Sequence, residues 1–298
     1  NHSAENNHIY RYSRWYRMYR PGIYLGGVGQ RVAHNLINDA PHMAVQFNGN
    51  DHVIEYNEIH DVCYESNDAG AIYAGRDWTE RGTQIRYNFL HHITGFEDRG
   101  CVGVYLDDMF CGTNIYSNLF YKVYRAAFIG GGRDNAIRNN LFVECPKAIH
   151  VDDRAQGWAA DTVPTTMTER LRAMPVAESP WKERFPQLVT ILDDGPAAPK
   201  GNLIEHNVVY GKDWDSISDG ARPYLSLDNN FIERDPRFRH ADRFTADPPK
   251  ATDFTLEKGS PAYAAGFEPL PLESMGLKKV PERASWPVEH GLRSIGAK

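Results

Sequence analysis

The stretch Ile54-Glu55-Tyr56-Asn57-Glu58-Ile59 decides the fold, because its pattern returns along most of the chain: an apolar residue, an Asn three positions on, a second apolar residue two further. It recurs as Ile85…Asn88…Leu90, Ile115…Asn118…Phe120 and Ile137…Asn140…Phe142. Val32…Asn35…Ile37, Ile204…Asn207…Val209 and Leu227…Asn230…Ile232 extend it, and Ala4…Asn7…Ile9 is a weaker first copy. The steps from Asn35 to Asn57, Asn118 to Asn140 and Asn207 to Asn230 are 22, 22 and 23 residues; those from Asn57 to Asn88 and Asn88 to Asn118 are 31 and 30. That is the period of a solenoid coil with loop insertions.

A second register runs in phase with the first. The segments Gly22–Gly27, Ala44–Gly49, Ala71–Arg76, Gly103–Asp108, Ala127–Gly132 and Ala148–Asp153 align without gaps. Strand alternation then sends Ile23, Val45, Ile72, Val104, Phe128 and Ile149 inward as one column. The Asn phrases supply another strand and a turn, where Asn is expected to take the left-handed conformation or to hydrogen-bond the Asn one rung away. The predicted fold is all-β: a right-handed parallel β-helix over residues 1–233, interrupted by a helical and loop excursion at 154–200 and followed by an irregular C-terminal cap and tail at 234–298. A β-sandwich would explain alternation but not two registers kept in phase.

A chain of 298 residues that is 41% hydrophobic can bury a long core as one elongated domain, and a net charge of −6 argues against a nucleic-acid partner, which requires a basic face. No apolar run reaches the length of a membrane span, so no membrane partner is expected. The first residues already read as the middle of a coil, so N-terminal rungs of the same protein are expected to precede them. Cys145 reads as a small core residue, whereas Cys63, Cys101 and Cys111 fall in loops where pairing is open.

Two rungs are long, and their insertions carry Glu65–Gly70, Asp77–Arg81 and Phe96–Gly100, expected to wall one stretch of a groove. Within the excursion, Thr168–Met174 and Trp181–Phe185 read as short helices, which would form either a lid or a decoration packed elsewhere. Residues 253–266 are expected to close the C-terminal end of the stack.

Read rung by rung, the outward positions are Tyr24/Gly26, Gln46/Asn48, Tyr73/Gly75, Tyr105/Asp107, Ile129/Gly131 and His150/Asp152. Asp107 and Asp152 share a column two rungs apart, a backbone spacing of roughly 9.6 Å, with Gly131 leaving room between them. Leaning side chains would bring the carboxyl groups to about 6.5–9.5 Å, the interval an inverting glycosidase uses to admit water. Tyr73 and Tyr105 offer faces for sugar stacking, and His150 a hydrogen bond. Asp108 and Asp153 are expected in the turn. Asp68, Glu65 and Arg76 are candidates for holding substrate, while Arg125, Arg133 and Arg154 would bind an acidic sugar or clamp the aspartates. His60 and Asp61 are adjacent, as are His91 and His92, and strand alternation separates each pair, so no metal site is expected there.

The motifs Asp68-Ala-Gly-Ala-Ile-Tyr-Ala-Gly-Arg-Asp-Trp-Thr79, Val104–Asp108, Phe128–Asp134 and Ala148–Asp152 resemble bacterial right-handed β-helix proteins of the glycoside hydrolase family 141 type, over most of residues 1–270. The resemblance implies cleavage of a glycosidic bond in plant cell-wall or other complex polysaccharide, with α-L-fucosidase and xylanase as associated activities, and a periplasmic or extracellular location. It also implies a catalytic aspartate pair, matched to Asp107 or Asp108 with Asp152, or alternatively Asp68 with Asp107 or Asp108. Trp78 lies in the matched block and joins the substrate-binding candidates. No cofactor is implied. A polysaccharide lyase would instead use the aspartates to hold Ca²⁺ with Lys147 or Arg125 as base, and a noncatalytic carbohydrate-binding β-helix would use the same groove without turnover.

Overall fold

The computed structural model describes residues 1–283 and 285–294; the end of the expected tail, 295–298, lies outside the described residues. The chain visits three parallel sheets in turn, and each strand pairs with the strand three places later. Sheet 1 has eight strands and sheets 2 and 3 have seven each, giving the coil of a parallel β-helix. Sheet 1 holds the first half of each Asn phrase, with Val32, Ile54, Ile85, Ile115, Ile137, Ile204 and Leu227 in one inward column. Sheet 2 holds the second half, aligning Ile37, Ile59, Leu90, Phe120, Phe142 and Val209. These columns fill the interior.

Between sheets 1 and 2 the Asn residues form a continuous ladder. Oδ1 of each of Asn35, Asn57, Asn88, Asn118, Asn140, Asn207 and Asn230 accepts from both the backbone N–H and the side-chain amide of the Asn one rung before. The left-handed conformation expected of these Asn residues belongs instead to the residue before each: Asn6, His34, Tyr56, Tyr87, Ser117, Asn139, His206 and Asn229, with φ of 52–58°. Non-glycine residues resist that region. Here the strained residues donate N–H to the next rung, as His34 does to Glu55, Tyr56 to Arg86 and Tyr87 to Ser117.

Sheet 3 departs from the expected register at one rung. Val104 pairs with Ala127, Tyr105 with Phe128, Leu106 with Ile129, and Gly130 with Asp152. Thus Ala127 and Ile129 point inward, Phe128 points outward, and the residue between Asp107 and Asp152 is Gly130 rather than Gly131. Ala126 and Ala127 both fit inside a strand, which hides the one-residue slip; outside, the Phe128 ring stacks between Tyr105 at 4.7 Å and His150 at 3.8 Å.

The excursion contains helices Thr168–Arg172 and Trp181–Arg184 and packs on the corner that follows sheet 3. Met167, Leu171, Leu188 and Ile191 cover Trp78, Met109 and Cys111. Trp78 is therefore 1% exposed and serves this core, not a substrate surface as expected. The C-terminal region is not confined to the end of the stack. It runs back along the outer face of sheet 2, where Phe244, Phe254, Leu256 and Phe267 cover Phe89, Leu119, Leu141 and Val208, and it reaches the first rung through Lys278 and Asn6. An apolar outer face has to be covered, and this segment covers it. All four cysteines are buried free thiols.

Candidate functional site

Strands Gly70–Gly75, Val102–Asp107, Arg125–Gly130 and Lys147–Asp152 lay a floor on the outer face of sheet 3. The column Tyr73, Tyr105, Phe128 and His150 runs across it, and the column Gly75, Asp107, Gly130 and Asp152 lies beside it. Loops before the strands carry Asp68 and Glu65; turns after them carry Arg76, Asp108 and Arg154.

Asp107 and Asp152 converge as expected, and Asp108 joins them from the turn, but the interval between them is filled. The Arg154 guanidinium donates to Asp107 Oδ1, to Asp108 Oδ1 at 2.9 Å and to Asp152 Oδ2 at 2.8 Å. A Cβ on Gly130 would lie 2.6 Å from Arg154 Cζ, so the glycine makes room for this guanidinium and not for a sugar. The other oxygens are engaged too: Asp107 Oδ2 accepts from the Tyr73 hydroxyl at 2.9 Å, and Asp108 Oδ2 from Arg76. Arg154 is 6% exposed; burial works against its charge, but the Asp152 hydrogen bond and charge hold it firmly protonated. A water-filled gap between Asp107 and Asp152 is thus replaced by a charge-assisted clamp. The same guanidinium stands where a Ca²⁺ between these aspartates would sit.

The aromatic column does not offer open faces. Tyr105 and Phe128 stack on each other and are 5% and 4% exposed, and the second face of Phe128 meets His150 with parallel rings. Tyr73 packs edge-on to Tyr105 at 5.6 Å. Burial first, then Asp107, pushes both tyrosine hydroxyls far above their ordinary range, so they remain proton donors. Tyr105 reaches Asp68 at 3.4 Å while Tyr73 reaches Asp107, so each of these carboxyl groups meets a tyrosine hydroxyl. Burial, helped by Arg125, Lys147 and Arg154, pulls His150 down to about 3 and leaves it neutral.

The remaining candidates are partly spent on structure. Glu65 pairs with Arg17, and Arg133 with Asp194. Arg76 is half exposed while holding Asp108. Asp153 accepts from the Ser218 hydroxyl at 2.7 Å. Asp68 is exposed at the opposite edge.

Two residues on this side were not singled out by the sequence. Trp158, 77% exposed, stands with its ring 5.4 Å from the Arg154 guanidinium. Glu80, on the turn after Gly70–Gly75, has its carboxyl pushed up to about 7 by burial and by Asp77, against a hydrogen bond from the Gly49 backbone. Gly49 follows the strand Val45–Phe47, two strands from that of Asp107, so Glu80 lies along the same edge as the clamped aspartates. The signal available was its place in the Asp77–Arg81 insertion, read there only as a wall.

His60 and His91 also depart from expectation. They stack across adjacent rungs at 4.6 Å, and His60 Nδ1 lies 2.7 Å from Asp61. Positive φ at Asp61 and His92 turns these side chains back toward their neighbours, which strict alternation forbids. No family model, curated protein or solved structure matches the chain.

Proposed function

We propose that the chain is a glycoside hydrolase acting on a complex polysaccharide along the outer face of sheet 3, with Glu80 as proton donor and the Arg154-clamped Asp107 as the fixed carboxylate. One feature carries this reading: Glu80, whose carboxyl burial and Asp77 push up to about 7, follows the strand Gly70–Gly75 that pairs with the strand of the Arg154-clamped Asp107. Acid and base assignments follow where environments push like groups apart. The Gly49 backbone that donates to Glu80 follows a strand two strand spacings, roughly 9.6 Å, from that of Asp107. Glu80 would deliver its proton to the leaving oxygen as the glycosidic C–O bond breaks, while Asp107, oriented by Tyr73 and Arg154, would accept a proton from the water that bonds to the anomeric carbon. Exposed Trp158 supplies an apolar surface beside the clamp. The motif resemblance directs the first substrates to fucosides and xylans.

The test is turnover of a panel of these glycans by the full chain and by Glu80→Gln and Asp107→Asn. Each substitution is expected to lower kcat by about 10²-fold or more. Turnover surviving both removes the assignment. A noncatalytic glycan-binding role is the second reading, favoured by the clamp that fills the Asp107–Asp152 interval; it predicts binding without cleavage across the panel, unaffected by Glu80→Gln.

A further inference from the structure

The outer face of sheet 2 is apolar over most of its length, with Phe89, Leu119, Leu141 and Val208 in one column and Tyr121 and Val143 in the next. Toward the first rungs the same columns carry Glu58, His60 and His91. Metal-ligating atoms of these three residues lie within 4.8 Å of one another. His290, from the segment that folds back over this face, brings Nδ1 to 3.1 Å from His60 Nε2 and Nε2 to 3.9 Å from Glu58 Oε1. His91 Nε2 lies 3.4 Å from Glu58 Oε1. Ligand atoms around a tetrahedral zinc ion are about 3.3 Å apart, given Zn–N bonds of 2.0–2.1 Å.

We propose that Glu58, His60 and His91, with His290 closing over them, form a binding site for a divalent transition-metal ion of the zinc type. Two imidazoles and one carboxylate are a ligand set suited to such an ion, with a fourth position left for His290 or water. The outer contacts fit it as well: Asp61 accepts from His60 Nδ1–H at 2.7 Å, which fixes the tautomer and leaves Nε2 with its lone pair facing His290, and His92 Nδ1 lies 2.9 Å from His91 Nδ1. A carboxylate behind a ligating histidine is the usual outer partner in metal sites. The His60 and His91 rings stand nearly parallel on adjacent rungs, 4.6 Å apart.

Access agrees. Glu58 and His290 open onto a cleft of about 690 Å³ whose lining includes Asp247, Glu273 and Glu289 against Lys250, an acidic entry path for a cation.

The test strips the full chain with a chelator and titrates it with Zn²⁺ by calorimetry, and with Co²⁺ by visible absorption, near pH 7.5. Expected are one equivalent of ion per chain and a Co²⁺ spectrum of four-coordinate type. Asp61→Asn should weaken binding about 10–100-fold, and His91→Gln by at least as much, with circular dichroism verifying the fold. Absence of stoichiometric binding by the stripped wild-type chain overturns the proposal without recourse to any variant. So does binding that persists undiminished in both His91→Gln and His60→Gln.

Discussion

Removing the Arg154 side chain would leave three clustered carboxylates, 6–8% exposed at Asp107 and Asp108, without their shared counter-charge. Breaking a buried ion network from one side costs about 3–5 kcal/mol. Arg154→Ala is therefore expected to lower the denaturation midpoint steeply, whereas Asp152→Asn, which leaves the guanidinium on two aspartates, should cost less; equal losses would refute the clamp. Glu80 makes a second prediction. Its carboxyl near 7 lies above the ordinary 4.5, so the folded state holds a proton that the unfolded state gives up. The Glu80 contribution to stability should thus decline as pH rises from about 4.5 to 7, by roughly 3 kcal/mol, read as the difference between the wild-type chain and Glu80→Gln. The proton-donor role gives kcat/KM a basic limb near 7. Glu80→Gln should remove that contribution and that limb; a limb that persists assigns the proton elsewhere. The clamp was legible as one of two roles open to Arg125, Arg133 and Arg154, and periodicity did not say which arginine would reach back two rungs from a turn to make it; the role of Glu80 was not legible, because its burial depends on how the insertion folds.

At the level of the strand and turn, the Asn ladder was legible because the same side chain does the same work at every rung. Asn118 shows what it supports: Oδ1 accepts from Asn88 twice, and Nδ2 donates to Ile85 and Tyr116 carbonyls and to Asn140. Asn118→Ala orphans the buried Asn88 N–H and takes partners from the Asn88 and Asn140 side chains and from the Tyr116 carbonyl, at about 1–3 kcal/mol for each group left unpaired before relaxation. Urea unfolding should record a loss of about 3 kcal/mol or more, against a far smaller loss for Ser117→Ala in the same turn. A loss under about 1 kcal/mol would mean the ladder is ornamental. The same scale shows what repetition hides. Ala126-Ala127-Phe128 admits two registers, and only the stack of Phe128 between Tyr105 and His150 chooses one. Likewise the phrase marks each turn while masking which residue is left-handed, since the constraint falls on positions as varied as His34, Tyr87 and Ser117.

Across the whole molecule the three outer faces have different fates, which narrows where a ligand can lie. Sheet 1 carries a polar ladder in which Glu55 accepts from Arg31 and Arg86, and Arg86 donates to Tyr116. Sheet 2 is covered by the returning C-terminal segment, irregular in sequence and so not legible as a partner for a particular face. Sheet 3 keeps an outer face flanked by charged turns and by the excursion, and the candidate site is there. Because Phe244 and Phe254 share one cluster with Phe89, Leu119 and Tyr121, coil and strap should unfold as a unit. Phe254, fully buried, is the place to test this. Phe254→Ala should cost about 3–5 kcal/mol and move the whole fluorescence and circular-dichroism transition together. If instead an early transition detached the strap while the coil's signal stayed in place, the C-terminal segment would be an independent decoration, and sheet 2 would need another explanation for its apolar outer columns.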